Sequence, residues 1–139
     1  VHINLSIDSL DPERYAAIRI NGKLSKVYEN LERYKQYCKD GKRELSIMVN
    51  PMRNNWFEMV DFLDFANKHN ANLWYNTIRY PEEYAIWNLP SSELKLIYDG
   101  LCKRLDAWVP YEDKTSNIQI TQHLIHEQIG TWLLDSYMR

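Results

Sequence analysis

The chain has 139 residues, a length that suits one domain with a real core, and its 45% hydrophobic and 26% charged shares exclude a disordered chain or a collagen-like repeat. Its 17 Lys and Arg against 19 Asp and Glu leave no basic stripe to neutralise phosphates, so nucleic acid is not an expected partner. No apolar run approaches the ~20 residues of a membrane span and no charged-then-apolar leader opens the sequence, so the expectation is a soluble cytoplasmic protein with no membrane partner.

Residues 1–8 alternate strictly, with Ile3, Leu5 and Ile7 on one side and His2, Asn4, Ser6 and Asp8 on the other, which predicts a strand with one apolar and one polar face. Because the pattern starts at Val1 without a leading arm, the chain reads as cut from something longer. Asp11, Pro12 and Glu13 supply an N-cap, a proline at the first helical position and an acid in the first turn, so a short helix is predicted to about Ile18. After a turn at Asn21-Gly22, Val27, Leu31, Tyr34 and Cys38 recur at helical spacing and Gly41 marks the stop.

A second cycle repeats the arrangement. Leu45, Ile47 and Val49 alternate with Ser46, Met48 and Asn50 until Pro51 closes the strand, and Trp56, Met59, Val60, Leu63 and Ala66 then line one helical face. The third strand is expected over residues 72–78, followed by an irregular linker at 82–90 and a helix capped by Ser91 that carries Leu94, Ile97, Tyr98, Leu101 and Leu105 inward. A loop with Pro110 and the polar stretch 112–117 leads to a last helix built on Ile125, Ile129, Trp132 and Leu133. Cys38 and Cys102 lie far apart in helical surroundings and read as reduced thiols.

Strands alternating with long helices predict an α/β fold with a parallel sheet. The strand and helix units occupy residues 1–107, and 108–139 add a loop and a C-terminal helix packed on them. Fully covered parallel strands read as continuous apolar runs. These do not: one face holds Asn4, Ser6 and Asp8, then Ser46 and Asn50, then Asn76. An open or partial barrel with a polar interior explains that pattern, and ligands of such sheets gather at the carboxyl ends of the strands, where Asp8, Asn50 and Asn76 fall. The alternation also fits a face turned to solvent. A three-stranded sheet with two open edges invites partners, so either another segment completes it or copies of the chain pair as a homo-oligomer.

The run Leu5-Ser6-Ile7-Asp8-Ser9, followed by Asp11-Pro12-Glu13, Tyr15 and Ile18-Arg19, resembles the fourth strand and helix of radical S-adenosylmethionine enzymes. Met48-Val49-Asn50-Pro51 on through Asn55 and Glu58 resembles their fifth unit, and Trp74-Tyr75-Asn76-Thr77 to Pro81 and Leu89-Pro90 their sixth. The resemblance spans roughly residues 1–105 and implies the C-terminal half of a TIM-type partial barrel of six strand and helix units. The family's cluster loop, C-x-x-x-C-x-x-C, has no counterpart here, so no residue is assigned to metal and none is assigned as catalytic.

The resemblance implies that Ser6 and Arg19 hold the amino acid end of S-adenosylmethionine, a carboxylate that a hydroxyl and a guanidinium suit well. It implies that Asn50 and Asn76 lie by the adenosine or substrate, and that Asp8 meets an amino group or a substrate. The parent enzyme is then an oxidoreductase that cleaves S-adenosylmethionine reductively at a 4Fe-4S cluster, acting on a small-molecule or peptide substrate. This chain alone is expected to bind neither cofactor and to be inactive without the other half of the barrel. Two rivals stand beside that reading: a non-catalytic α/β binding or regulatory module, and a small self-contained enzyme using Asp8 with Arg19. His123 and His126, three apart with no third ligand nearby, read as surface histidines.

Overall fold

The computed structural model describes residues 2–109 and 115–139. The predicted positions Val1, Pro110 and Glu112 lie outside the described residues. Strand β1 is Ile3–Ser6, and helix α1, Pro12–Ile18, follows it. Asp11 caps α1 as expected: its backbone is extended and its carboxylate accepts the Arg14 N–H at 2.9 Å. Helix α2 is Leu24–Gly41, and its buried Leu24, Leu31 and Cys38 recur every seven residues, two helical turns apart. Between α1 and α2 the chain turns through Asn21 at φ 62° and Gly22. A Cβ on Gly22 would lie 2.8 Å from the Arg19 carbonyl and from the Tyr15 ring, so only glycine lets the two helices approach this closely.

Strand β2 is Leu45–Val49 and β3 is Asn72–Tyr75. A 3₁₀ turn at Trp56–Glu58 leads into helix α3, Met59–Lys68, between them. Helix α4 is Ser91–Asp106, and the chain closes with α5, Thr115–Gln122, a π-helical stretch His123–Ile129, and α6, Gly130–Ser136. All three strands are parallel, in the order β1-β2-β3. The α/β class with a parallel sheet is therefore the observed one.

The core lies on one side of this sheet. Ile7 just past β1 and Ile47, Val49 and Leu73 in the other strands belong to it, with Met59, Phe62 and Leu63 from α3, Leu94 and Leu101 from α4, and Ile125 and Ile129 from the π-helical stretch. Each such side chain contributes about 1.5–3 kcal/mol by leaving water. Tyr75 carries a polar tip into the same layer, where its hydroxyl meets the Met59 carbonyl at 3.0 Å and the Thr121 hydroxyl at 3.1 Å. Burial pushes that phenol well above its ordinary value.

Four expectations change in detail, each for a physical reason. The third strand ends at Tyr75 instead of Ile78, because β2 ends at Val49, whose carbonyl takes the Asn76 N–H, and beyond it the Asn50 N–H turns to Asp8. The stop after α2 uses Lys42, not Gly41, in the left-handed conformation, at φ 52°. Ser91 is the first residue of α4 and gives it no cap; its hydroxyl accepts from Ser136 instead, at 2.9 Å. The last helix begins at Thr115, so residues 115–117 of the polar stretch are helical.

The fourth change caps the start of one edge of the sheet. Asn117 is 1% exposed and faces β3, where its amide oxygen accepts the Leu73 N–H at 2.8 Å and its amide nitrogen donates to the Ala71 carbonyl at 2.8 Å. One side-chain amide thus offers the donor and acceptor that a neighbouring strand would have offered. Its nitrogen also donates to Asn67 Oδ1 at 2.9 Å, which fixes α5 to α3. At the other edge, the Ile3 N–H bonds the Glu44 carbonyl just before β2 and the Ile7 N–H the Met48 carbonyl, so the alternation of a parallel strand turns the backbone of Asn4 and Ser6 outward. Of the two edges predicted to be open, β1 remains so among the described residues, and β3 is capped at its start by Asn117.

Candidate functional site

The register of the sheet aligns the polar side chains into rows. Asn4, Ser46 and Asn72 form one row on the face away from the core, and Ser6, Met48 and Trp74 form the next. Asn4, Ser6, Trp74 and Asn76 on this face are exposed, while the opposite face is covered by helices. A parallel sheet dressed on one side and bare on the other is unusual, since crossover helices commonly cover both faces.

Beyond the strand ends, Asp8 is the centre of a clasp. It is 3% exposed, and both carboxylate oxygens are engaged. Oδ1 accepts the Asn50 backbone N–H at 3.2 Å and its side-chain amide at 3.1 Å. Oδ2 accepts from Arg19 Nε at 3.1 Å and lies 3.0 Å from a terminal guanidinium nitrogen. Two guanidinium nitrogens thus converge on one carboxylate oxygen, a charge-assisted contact that ties the end of β1 to the turn after α1. The Asp8 carbonyl accepts from Asn55 Nδ2 at 2.8 Å; that nitrogen also donates to the Asn50 carbonyl at 2.9 Å, and Asn55 Oδ1 accepts the Met52 N–H at 2.6 Å. The loops after β1 and β2 are therefore stitched together through one aspartate and one asparagine.

A second buried carboxylate stands beside the first. Glu58 accepts from the Ser9 hydroxyl at 2.8 Å and the Leu10 N–H at 2.9 Å, and pairs with Arg14 at 3.1 Å. Arg14 in turn lies over the Phe57 ring, 4.5 Å from its centroid. The clasp and this pair together set the path of residues 8–11.

The structure brings Asp8, Arg19 and Asn50 into direct contact. Ser6 and Asn76 stay apart from them: both are exposed on the bare face, with no side-chain partner among the described residues. Arg19 keeps part of its guanidinium open, with 42% of its side chain exposed, so donors remain for an anion after Asp8 is satisfied. Asn55, Glu58 and Asn117 carry more of the polar architecture than their sequence context suggests. Only Glu58 has a local signal, an acid in the first helical turn after Asn55.

Two clefts border the sheet. The larger, about 570 Å³, opens at the amino ends of the strands beside Lys35, Lys39, Arg43 and His69. There His69 Nδ1 meets Lys35 Nζ at 3.1 Å, and burial with the nearby lysine lowers the imidazole below its ordinary value. It lies at the opposite end of the sheet from Asp8. The smaller, about 220 Å³, lies between β3 and the C-terminal helices, lined by Trp74, Tyr75, Ile120, His123, Leu124 and Gln128. His123 and His126 are both exposed, and no group of three or more His, Cys, Asp or Glu side chains able to hold a metal occurs among the described residues. Cys38 and Cys102 are free thiols, and burial pushes the Cys102 thiol up. No helix of the described residues is long and apolar enough to cross a membrane.

No protein-family model, curated protein or solved structure matches this chain.

Proposed function

We propose that this chain is the C-terminal half of a partial barrel in a radical S-adenosylmethionine oxidoreductase of the cytoplasm, and that its bare polar sheet face is the inner wall of the shared pocket. The observation that carries the reading is the one-sided sheet: strands in sequential parallel order, helices on one face only, and hydrophilic residues on the other. A segment of a closed or nearly closed barrel has this form, because its inner face packs against other strands of the same barrel. The unpaired edge at Asn4 and Ser6 is where the preceding strand of the other half joins.

Within that reading the chain's own groups divide the work. Ser6 presents a free hydroxyl on the inner face, and Arg19 presents the guanidinium donors that Asp8 leaves unused, each a group suited to an amino acid carboxylate. Asp8 aims Arg19 and, through its other oxygen, holds Asn50 at the rim, where Asn50 and Asn76 border the adenosine or the substrate. Asp8 is so fully engaged that its contact with a substrate runs through these neighbours. Bound S-adenosylmethionine, at a cluster carried by the other half, supplies the radical chemistry, and the residues here orient and seclude it.

The second reading, a non-catalytic α/β binding or regulatory module, is favoured by the Asp8 clasp itself, since four donors from the same chain account for its carboxylate. Iron and sulfide reconstitution separates the two. The longer parent protein turns brown with absorbance near ~400 nm, as thiolate-bound clusters do, and this chain alone stays colourless. A colourless parent, or a parent whose upstream sequence lacks a three-cysteine loop, removes the enzyme reading.

The same bare face and open edge lead to self-association when this chain is alone. Light scattering at rising concentration then gives a mass above that of the 16.7 kDa monomer. A proline in place of Asn4, which removes an outward N–H, restores the monomer. A clean monomer at millimolar concentration speaks against an exposed pairing edge.

A further inference from the structure

The cleft between β3 and the C-terminal helices has features that the half-barrel reading does not require. Trp74 stands at its mouth, 46% exposed, a large aromatic placed on a sheet face otherwise lined by Asn, Ser and Met. The opposite wall is where the C-terminal helix turns from α-helical to π-helical, at His123. That change decides which side chains reach the cleft. In an α-helix, with ~3.6 residues per turn, positions five apart diverge by about 140°, so His123 and Gln128 would face different ways. A π-helix closes its hydrogen bonds between residues five apart and turns less per residue, so the divergence of such positions is narrower. His123 and Gln128 both line the cleft, together with Trp74, Tyr75, Ile120 and Leu124.

The lining thus combines a flat π surface, apolar side chains and two side chains able to donate or accept a hydrogen bond. The volume of about 220 Å³ exceeds the roughly 150 Å³ cavity that admits benzene. We propose that this cleft receives a planar aromatic or heteroaromatic ring of the substrate, stacked on Trp74 and bonded at its edge by His123 and Gln128. The proposal rests on the preceding one for calling the ring part of a substrate. The π-helical segment is then a specificity device: it delivers two polar groups to one side of a helix whose α-helical form would deliver only one.

The test is titration of this chain with indole and, separately, with adenosine, followed by calorimetry and by the NMR shifts of the Trp74 indole N–H and the His123 ring. Indole is expected to bind in the millimolar range and more tightly than adenosine, and to shift both signals. Trp74→Ala weakens indole binding about tenfold and Trp74→Phe less than about threefold, since the ring and not the indole nitrogen does the stacking. Gln128→Ala weakens it severalfold with the circular dichroism spectrum unchanged. Indole binding that is absent, or equally strong in Trp74→Ala, overturns the proposal. Adenosine binding more tightly than indole overturns it too, because the cleft would then belong to the cofactor. This test is independent of the cluster reconstitution: indole binding by a chain whose parent stays colourless keeps the pocket and removes the enzyme, and a brown parent without indole binding removes only the substrate class.

Discussion

Asp8→Ala is expected to lower the stability of the fold by about 3 kcal/mol, roughly a 10 °C fall in the unfolding midpoint for a chain of this size. The carboxylate is buried and receives donors from Asn50 and Arg19, so its removal leaves the Asn50 backbone and amide N–H groups without partners and releases Arg19 into water. Hydrogen bonds to a charged group are the stronger kind, and loss of one member of a buried pair is costly mainly through what it strands. Arg19→Ala should cost about 1 kcal/mol, because the guanidinium is half in water and the Asn50 bonds to Asp8 survive it. Urea unfolding of the two variants checks the order. Equal losses, or an Asp8 variant as stable as the parent chain, would mean that the loops after β1 and β2 are held by something other than this carboxylate.

The Asn117→Ala substitution should be about as severe, near 3 kcal/mol, for a different reason. The amide makes three bonds in a site that water does not enter, to Leu73 N–H, to the Ala71 carbonyl and to Asn67. Truncation orphans a buried backbone donor and acceptor at once, each costing about 1–3 kcal/mol. Asn117→Asp restores the acceptor for Leu73 but sets a carboxylate against the Ala71 carbonyl and Asn67 Oδ1, and it does not rescue stability. Amide hydrogen exchange gives the specific signature: in Asn117→Ala, Leu73 loses its protection by more than the global destabilisation explains, in Asn117→Asp it follows the global loss only, and Ile47 in the central strand follows the global loss in both. Uniform loss of protection would reduce Asn117 to an ordinary packing residue.

The elements were legible in the sequence because each rests on a local period. Alternation at Ile3, Leu5 and Ile7 and at Leu45, Ile47 and Val49 gave the two strands, and the recurrence of Val27, Leu31, Tyr34 and Cys38 gave the first long helix. The Asp11 cap was legible for the same reason, since donor and acceptor are three residues apart. The polar relations were not. Alternation tells which face Asp8 occupies but not that Asn50, 42 positions on, reaches both its backbone and its side chain to the same oxygen. Asn117, in a run of polar residues, has the local character of a loop, and its role exists only because α5 is laid against the edge of β3. The π-helical stretch was equally hidden, since Ile125 and Ile129 keep a four-residue spacing that suits an ordinary helix.

The clasp at Asp8 also bears on the thermodynamics of recognition. A rim assembled from unfastened loops must freeze them when a guest arrives, and that ordering subtracts from affinity. Here the segments behind β1 and β2 are cross-tied beforehand, through Asp8, Asn50, Asn55 and Glu58. Anything that docks against Arg19 or Asn50 meets a mould that is already set, and little of its binding enthalpy is consumed in stiffening the host.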